Sequence, residues 1–210
     1  PSTVLMTEGP GKKWMSGASR NRLQEAWYLR TAINGGAEAW ADGLLELAGS
    51  ADVYLSSFLT VEGVDIITKR CGGLHIAALL IPLLATRRAS ALMYPALPQR
   101  NSVVNFYAGR ATEQALGQIM SHGPAVLRER LGEPYQLASD FAEVVRTTPT
   151  VLGISPTVVP EPEDWPDSVH VTGAWRLPVP ADYQPPAELA EFLAAGEPPV
   201  YIGFGSMRDG

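Results

Sequence analysis

Hydrophobic positions along the chain follow two different periods, and their alternation predicts the order of helices and strands. Stripes with the 3.6-residue spacing of a helix fall over residues 21–48, 61–71, 103–120, 125–131 and 185–196. Short apolar runs typical of buried strands fall over residues 52–57, 76–80, 151–155 and 169–173. The alternation of apolar strands with helices predicts an α/β fold with a doubly wound, Rossmann-like parallel sheet.

Glycines and prolines mark where these elements end. Gly35 and Gly36 interrupt the first helical stripe, so we expect either one bent helix or two short ones. Residues 1–19 and the stretch 81–99, which contains three prolines, are predicted to be loops. The predicted helix 103–120 carries an apolar stripe on one face: Val104, Tyr107, Ala111, Ala115 and Ile119.

Both ends of the chain look internal to a longer protein. The chain begins Pro-Ser-Thr, and near its other end residues 200–207 form an apolar run with a glycine turn, typical of a buried strand. Such a strand needs neighbours on both sides. We therefore expect a fragment of a larger α/β protein, and the proline-rich belt 178–199 is the best candidate for a domain boundary.

Composition excludes several classes of protein. Apolar residues make up 46% of the 210 and charged residues 18%, which excludes a disordered chain. A net charge of −6 argues against a nucleic-acid partner. The single cysteine, Cys71, cannot form an internal disulfide, and the longest apolar stretch, 76–84, is too short for a transmembrane segment. We expect a cytoplasmic protein, which leaves room for peripheral attachment to a membrane.

Candidate catalytic and metal-binding groups are sparse. The three histidines, His75, His122 and His170, adjoin no Gly-x-Ser-x-Gly motif, and no His/Asp/Glu cluster has metal-ligand spacing. We expect structural roles for the histidines, no metal site and no cofactor.

Two segments could bind a ligand. Arginines surround the large side chains of Met93, Tyr94, Phe106 and Tyr107, a pattern compatible with the mouth of an apolar pocket or with a solvated loop. The turn at residues 203–206 could let backbone N–H groups approach a phosphate. It matches neither the dinucleotide fingerprint, since Arg208 replaces the third glycine, nor a Walker loop.

Several segments together resemble a known family. The segments that carry the resemblance are 13–17, 128–132, 159–166, 169–175 and, most extensively, 187–207 (AELAEFLAAGEPPVYIGFGSM). They are similar to the glycosyltransferases that act on sterols and on glycopeptide or polyketide aglycones, which have the two-domain GT-B fold. The resemblance implies that residues 1–180 are part of the N-terminal acceptor domain, which is incomplete here. It makes 181–199 the interdomain helix and linker, and 200–210 the first strand and turn of the nucleotide-sugar domain.

The resemblance also implies an activity. Such an enzyme transfers a hexose from a nucleotide-diphosphate sugar, here expected to be a UDP-sugar, to a hydroxyl of a lipophilic acceptor, with inversion. The nucleotide sugar is a co-substrate rather than a cofactor. The catalytic base is expected before Pro1. The segment that binds the donor is expected in the second domain, which would be a separate chain or the rest of a longer one. We therefore expect the chain alone to be inactive.

A few site residues carry over from the family's pattern. Gly205 and Ser206 match the turn that faces the donor nucleotide. The residues that match the acceptor-lining loop are Leu83, Leu84, Thr86, Arg87, Met93 and Tyr94. The alternative is a stand-alone, non-catalytic module that binds a lipophilic ligand or regulates an enzyme.

Overall fold

The structure, a computed structural model, describes residues 8–17, 20–88, 100–134 and 139–203. The helices within these ranges are α1 (Gly9–Met15), α2 (Arg22–Asn34), α3 (Ala37–Leu47), α4 (Val61–Cys71), α5 (Val103–Met120), α6 (His122–Arg130), α7 (Phe141–Thr147) and α8 (Ala187–Ala194). The strands are β1 (Val53–Ser56), β2 (Leu74–Leu79), β3 (Thr150–Leu152) and β4 (Val169–Val171). Of the helices in these ranges, none is both long and apolar enough to cross a membrane.

The four strands form one parallel sheet in the order β1-β2-β3-β4. α4 connects β1 to β2, whereas α5, α6 and α7 all lie between β2 and β3. The predicted α/β fold with a parallel sheet is therefore confirmed. The described strands advance across the sheet in a single direction, as one half of a doubly wound sheet does.

One face of the sheet and the helices that cover it form the hydrophobic core. Alternate strand residues, including Ala77, Leu79 and Leu152, are buried on this side and pack against Phe141 of α7. A second cluster joins α3, α4 and α6, and its members include Ala41, Leu44, Val64, Ile67 and Leu127. α4 approaches α3 at Gly63, where a Cβ atom would lie 2.4 Å from Leu44 Cδ1.

The opposite face of the sheet is apolar but exposed. Its large exposed side chains are Val53, Leu55, Leu74 and Leu80. Trp175 covers part of this face at the end of β3, where a Cβ atom on Gly153 would lie 2.7 Å from the indole ring. The Trp175 Nε1–H group donates a hydrogen bond to Thr172 Oγ1 over 2.9 Å.

A buried ionic network connects three of the covering helices. The Glu62 carboxylate at the start of α4 accepts hydrogen bonds from Arg128 Nη1 (3.2 Å), Ser139 Oγ (2.6 Å) and the Asp140 backbone N–H (3.2 Å). Arg128 of α6 also donates to the carboxylate of Asp140, the residue just before α7, over 2.9 Å. Because both charges are desolvated, each depends on its partners for stability.

The structure corrects several sequence-based expectations. The first helical stripe forms two helices, with Gly35 and Gly36 between them. Residues 9–15 are helical although we expected a loop, and α7 was not predicted at all. Residues 200–203, the described part of the segment expected to form a strand at 200–207, are exposed and pair with none of the described strands, so the strand stays a prediction. Residues 204–207 lie outside the described ranges.

Of the three histidines, His75 has a clear structural role. Its buried ring lies on β2, and its Nε2 atom is 2.7 Å from Ser56 Oγ on β1. Burial lowers the pKa of His75 below its ordinary value; nearby Asp65 opposes the shift, and Lys69 adds to it. His122 and His170 are exposed.

Replacing Arg128 should unfold the chain more readily. Arg128→Met leaves Glu62 buried without its counter-ion, so we expect a loss of about 3–5 kcal/mol in the free energy of unfolding, measured by urea titration. Arg70→Met is the control, because Arg70 is exposed on α4 and its loss should cost less than about 0.5 kcal/mol. Equal losses in the two variants would show that the network contributes nothing specific.

His75 should make stability depend on pH. Because burial lowers the pKa of His75 in the folded state, the free energy of unfolding should be highest above about pH 6.5. It should decline as the pH falls below that value, where the unfolded chain binds the proton more readily. We expect the urea midpoint to fall more steeply between pH 7 and pH 5 in the wild type than in His75→Gln. A slope for His75→Gln parallel to that of the wild type would contradict this assignment.

Candidate functional site

A cleft of about 530 Å³ opens beside the loop that follows the carboxyl end of β2. In open parallel sheets, ligands bind outside this edge, where loops from different strands meet. The residues that line the cleft are Arg87, Arg88, Asn101, Ser102, Val103, Glu163 and Asp164. They come from the loop after β2, from the start of α5 and from the segment before β4.

Asp164 ties the loop after β2 to the segment before β4. One carboxylate oxygen accepts a hydrogen bond from Thr86 Oγ1 at 2.5 Å, and the other accepts from the Arg87 backbone N–H at 2.8 Å. Thr86 Oγ1 also accepts from the Arg88 backbone N–H, at 3.0 Å. The loop is therefore held at three consecutive residues on the side that faces the cleft.

A second carboxylate holds the same loop from within the protein. Glu113 of α5 has no exposed surface, and its Oε1 atom accepts a hydrogen bond from the Ala85 backbone N–H over 2.6 Å. Its Oε2 atom accepts from Arg110 Nη1 over 2.5 Å, which neutralises the buried charge. Charge-assisted bonds of this kind are roughly twice as strong as neutral ones. Glu113 therefore sets the position of the loop relative to α5.

Hydrogen bonds also connect the start of α5 to the loop after β2. The Asn105 side-chain amide donates to the backbone oxygens of Arg87 (3.0 Å) and Arg100 (2.9 Å), and the Ser102 backbone N–H donates to Arg87 O over 2.9 Å. Ser102 caps the helix through a bond from the Val104 N–H to its Oγ atom at 3.1 Å. The amino end of α5, with its partial positive charge, therefore borders the cleft.

The cleft offers mainly hydrogen-bond donors. Neither Arg87 nor Arg88 forms an ion pair with a carboxylate in the described part of the chain. Glu163 and Asp164 are both exposed lining carboxylates, and the hydrogen bonds to the loop engage both oxygens of Asp164. Such a site can bind a hydroxyl or carbonyl oxygen through guanidinium and amide N–H groups.

An exposed apolar face of α5 continues from this polar cleft. Val103 lines the cleft, and Val104 and Tyr107 are exposed beside it in sequence. We expected the stripe from Val104 to Ile119 to mark one face of the helix. The structure exposes this stripe from Val104 to Ala115, whereas Ile119 is partly buried against the core. The residues that α5 buries are small or polar: Asn105, Gly109, Glu113 and Gly117, together with Met120.

The structure separates the residues predicted to bind the acceptor. Leu83 and Leu84 are buried in the hydrophobic core, and Thr86 is buried against Asp164, so their side chains support the loop and do not line the cleft. Arg87 does line it. Contact of any of these residues with an acceptor stays a prediction.

The remaining predicted site residues, Met93, Tyr94, Gly205 and Ser206, lie outside the described residues. Sequence reasoning missed Glu113 and Asp164. The one available signal for Glu113 was a carboxylate in a helix that is otherwise poor in charge. No local pattern marks Asp164, since its partner Thr86 lies 78 positions away along the chain.

Comparison with known proteins confirms the resemblance that the sequence indicates. The chain is 32% identical to a sterol 3-beta-glucosyltransferase of Leptosphaeria maculans over 177 residues, which cover 74% of this chain and 12% of that protein. It is 51% identical to a sterol 3-beta-glucosyltransferase of Arabidopsis thaliana over 53 residues, 25% of this chain and 8% of the relative. No family model matches the chain.

A bacterial relative acts on a different class of acceptor. The O-mycaminosyltylonolide 6-deoxyallosyltransferase of Streptomyces fradiae is 41% identical over 73 residues, 35% of this chain and 17% of that protein. The homologues are thus glycosyltransferases named for sterol and macrolide substrates. In each case the chain matches less than a fifth of the relative's length.

Removing the Glu113 carboxylate should release the loop from α5. In Glu113→Ala the Ala85 N–H loses its acceptor, so we expect its amide hydrogen to exchange at least about ten-fold faster, corresponding to roughly 1.4 kcal/mol, while the Ala77 amide in β2 keeps its protection. Gln114→Ala, at an exposed position of the same helix, is the control. An unchanged Ala85 rate, or equal acceleration across the whole sheet, would contradict a local role for Glu113.

Proposed function

We propose that the chain is part of the acceptor domain of an inverting GT-B glycosyltransferase. The enzyme transfers a hexose from a nucleotide-diphosphate sugar, a UDP-sugar, to a hydroxyl of a lipophilic acceptor such as a sterol or a macrolide aglycone. The observation that carries this proposal is the match to a sterol 3-beta-glucosyltransferase across 74% of the chain.

The polar lining of the cleft supports this proposal. A sterol or an aglycone is a large apolar ring system with a small number of hydroxyl groups. The donors of Arg87, Arg88 and Asn101 suit a hydroxyl oxygen, and the exposed Val104 and Tyr107 offer apolar surface on the helix that borders the cleft. We propose that the acceptor lies with its hydroxyl in the cleft and its rings along the start of α5.

The proposed reaction needs the acceptor oxygen to be deprotonated while it attacks the anomeric carbon of the sugar. The carbon–oxygen bond to the nucleotide diphosphate breaks as the new glycosidic bond forms, and the proton passes to a general base. This chain's share is to hold the acceptor oxygen in position, which supplies rate by proximity. The base lies outside residues 8–203 in this proposal, and Gly205 and Ser206 contact the donor nucleotide.

Loosening the cleft loop should impair acceptor use selectively. Asp164→Asn removes one charge-assisted acceptor from the Thr86–Arg87 segment, so in the complete enzyme we expect kcat/KM for the acceptor to fall at least about ten-fold with the KM for the UDP-sugar unchanged. The measurement is acceptor-dependent release of UDP from UDP-glucose, with cholesterol and a macrolide aglycone tested separately.

Asp167→Asn is the matched control for this assay, because Asp167 is exposed three residues away and should leave both constants unchanged. A higher KM for the UDP-sugar with normal acceptor kinetics would contradict the placement of the acceptor. Failure of the wild-type enzyme to release UDP with either acceptor would reject the proposed reaction.

A further inference from the structure

Positive charge is concentrated at the start of the chain. Residues 8–34 contain five basic residues and two acidic ones, a charge of +3, whereas the whole chain carries −6 and the remainder therefore −9. The basic residues of this segment are Lys12, Lys13, Arg20, Arg22 and Arg30. Charge asymmetry of this size indicates an anionic partner for one part of a protein.

Four of these basic residues, Lys12, Lys13, Arg20 and Arg30, are exposed on or beside α1 and α2, which also carry two exposed apolar side chains. The two helices pack against each other, and Lys13 Nζ lies 5.8 Å from the centroid of the Tyr28 ring. Leu23 and Trp27 are 84% and 57% exposed and lie one helical turn apart, with exposed Arg30 on the next turn of the same face. We call this surface the α1–α2 patch and define it by Lys12, Lys13, Arg20, Leu23, Trp27 and Arg30.

We propose that the α1–α2 patch docks the protein on an anionic lipid bilayer. Leu23 and Trp27 enter the headgroup region, where an amphipathic indole ring is most stable, and the basic side chains face acidic lipid headgroups. Exposed Leu and Trp side chains on the same pair of helices as four exposed basic residues suit an interface that has an apolar interior beneath anionic headgroups. A bilayer is the better partner than nucleic acid because it offers an apolar phase to the exposed Leu23 and Trp27 as well as anionic groups to the basic side chains.

This proposal is independent of the cleft and of the transfer reaction. The α1–α2 patch shares no residue with the lining of the cleft. If both proposals hold, docking would bring the enzyme to the phase in which a lipophilic acceptor is dissolved.

Vesicle flotation tests the proposal on the 210-residue chain. We expect the chain to float with vesicles of phosphatidylcholine and phosphatidylserine (7:3) at low salt and to remain unbound with phosphatidylcholine alone. Trp27→Ala should lower the partition coefficient at least about five-fold, and Lys12→Glu combined with Lys13→Glu at least about ten-fold. Far-ultraviolet circular dichroism and a thermal melt check that each variant is folded.

Two control variants change an exposed apolar residue and an exposed basic residue that lie outside the α1–α2 patch. Leu55→Ala lies on the open face of the sheet, and Arg70→Glu lies at the end of α4; both positions are exposed and both variants should bind like the wild type. Loss of binding in Leu55→Ala but not in Trp27→Ala would overturn the proposal by assigning adsorption to the sheet. Equal binding to neutral vesicles would overturn the requirement for anionic lipid.

Single-stranded RNA provides the remaining arm of the test. If poly(U) binds as tightly as the anionic vesicles and Trp27→Ala weakens neither interaction, the patch is a general polyanion surface and the lipid proposal is wrong. If poly(U) binds at least about ten-fold more weakly and Trp27→Ala weakens vesicle binding alone, the proposal stands.

Discussion

All four described strands run parallel, so each connection must return from one end of the sheet to the other before the next strand can begin. α4 makes the first crossing, and α5, α6 and α7 lie between β2 and β3. These helices bury one face of the sheet, and the loops leave from the carboxyl ends of the strands. The cleft beside the loop after β2 lies where this topology places ligand sites in other open sheets.

Buried carboxylates fix the positions of the helices and of the loop after β2 relative to one another. Glu62 connects α4 with α6 and with the start of α7, and Glu113 connects α5 with Ala85. Each buried charge is costly unless several donors satisfy it, so a displaced helix or loop would leave a charge exposed to an apolar interior. Asp164 fixes the other side of the same loop. A ligand in the cleft therefore meets donor groups whose positions are set before it binds.

The sequence predicted most of the elements because their hydrophobic periods are local. Val61–Cys71 and Val103–Met120 were predicted with the bounds that the structure has, and β1, β2, β3 and β4 within two or three residues. The buried face of α5 could not be predicted from apolarity, because the helix turns its small and polar residues inward. Gly117 must approach Ser139, and Glu113 must reach Ala85, 28 residues earlier in the chain.

The same limit applies to the candidate site. Arg87 was predicted as a site residue from the family resemblance and lines the cleft, whereas Asp164 acts through partners 77 and 78 positions away and has no local signature. Leu83 and Leu84 match the family's pattern, and the structure gives them a role in the core. Periodicity and motifs thus identify the loop, but only the tertiary contacts show which of its side chains face solvent.

Photo-crosslinking tests most directly the central claim that the cleft beside the β2 loop holds a lipophilic acceptor by its hydroxyl. A sterol with a diazirine next to its hydroxyl would be irradiated with the complete enzyme and the labelled peptides sequenced. We predict that the label lies on Arg87 or Arg88, or within residues 101–103, and that excess unlabelled sterol prevents it. Labelling confined to the open face of the sheet or to α8, with the cleft peptides unmodified, would contradict the claim.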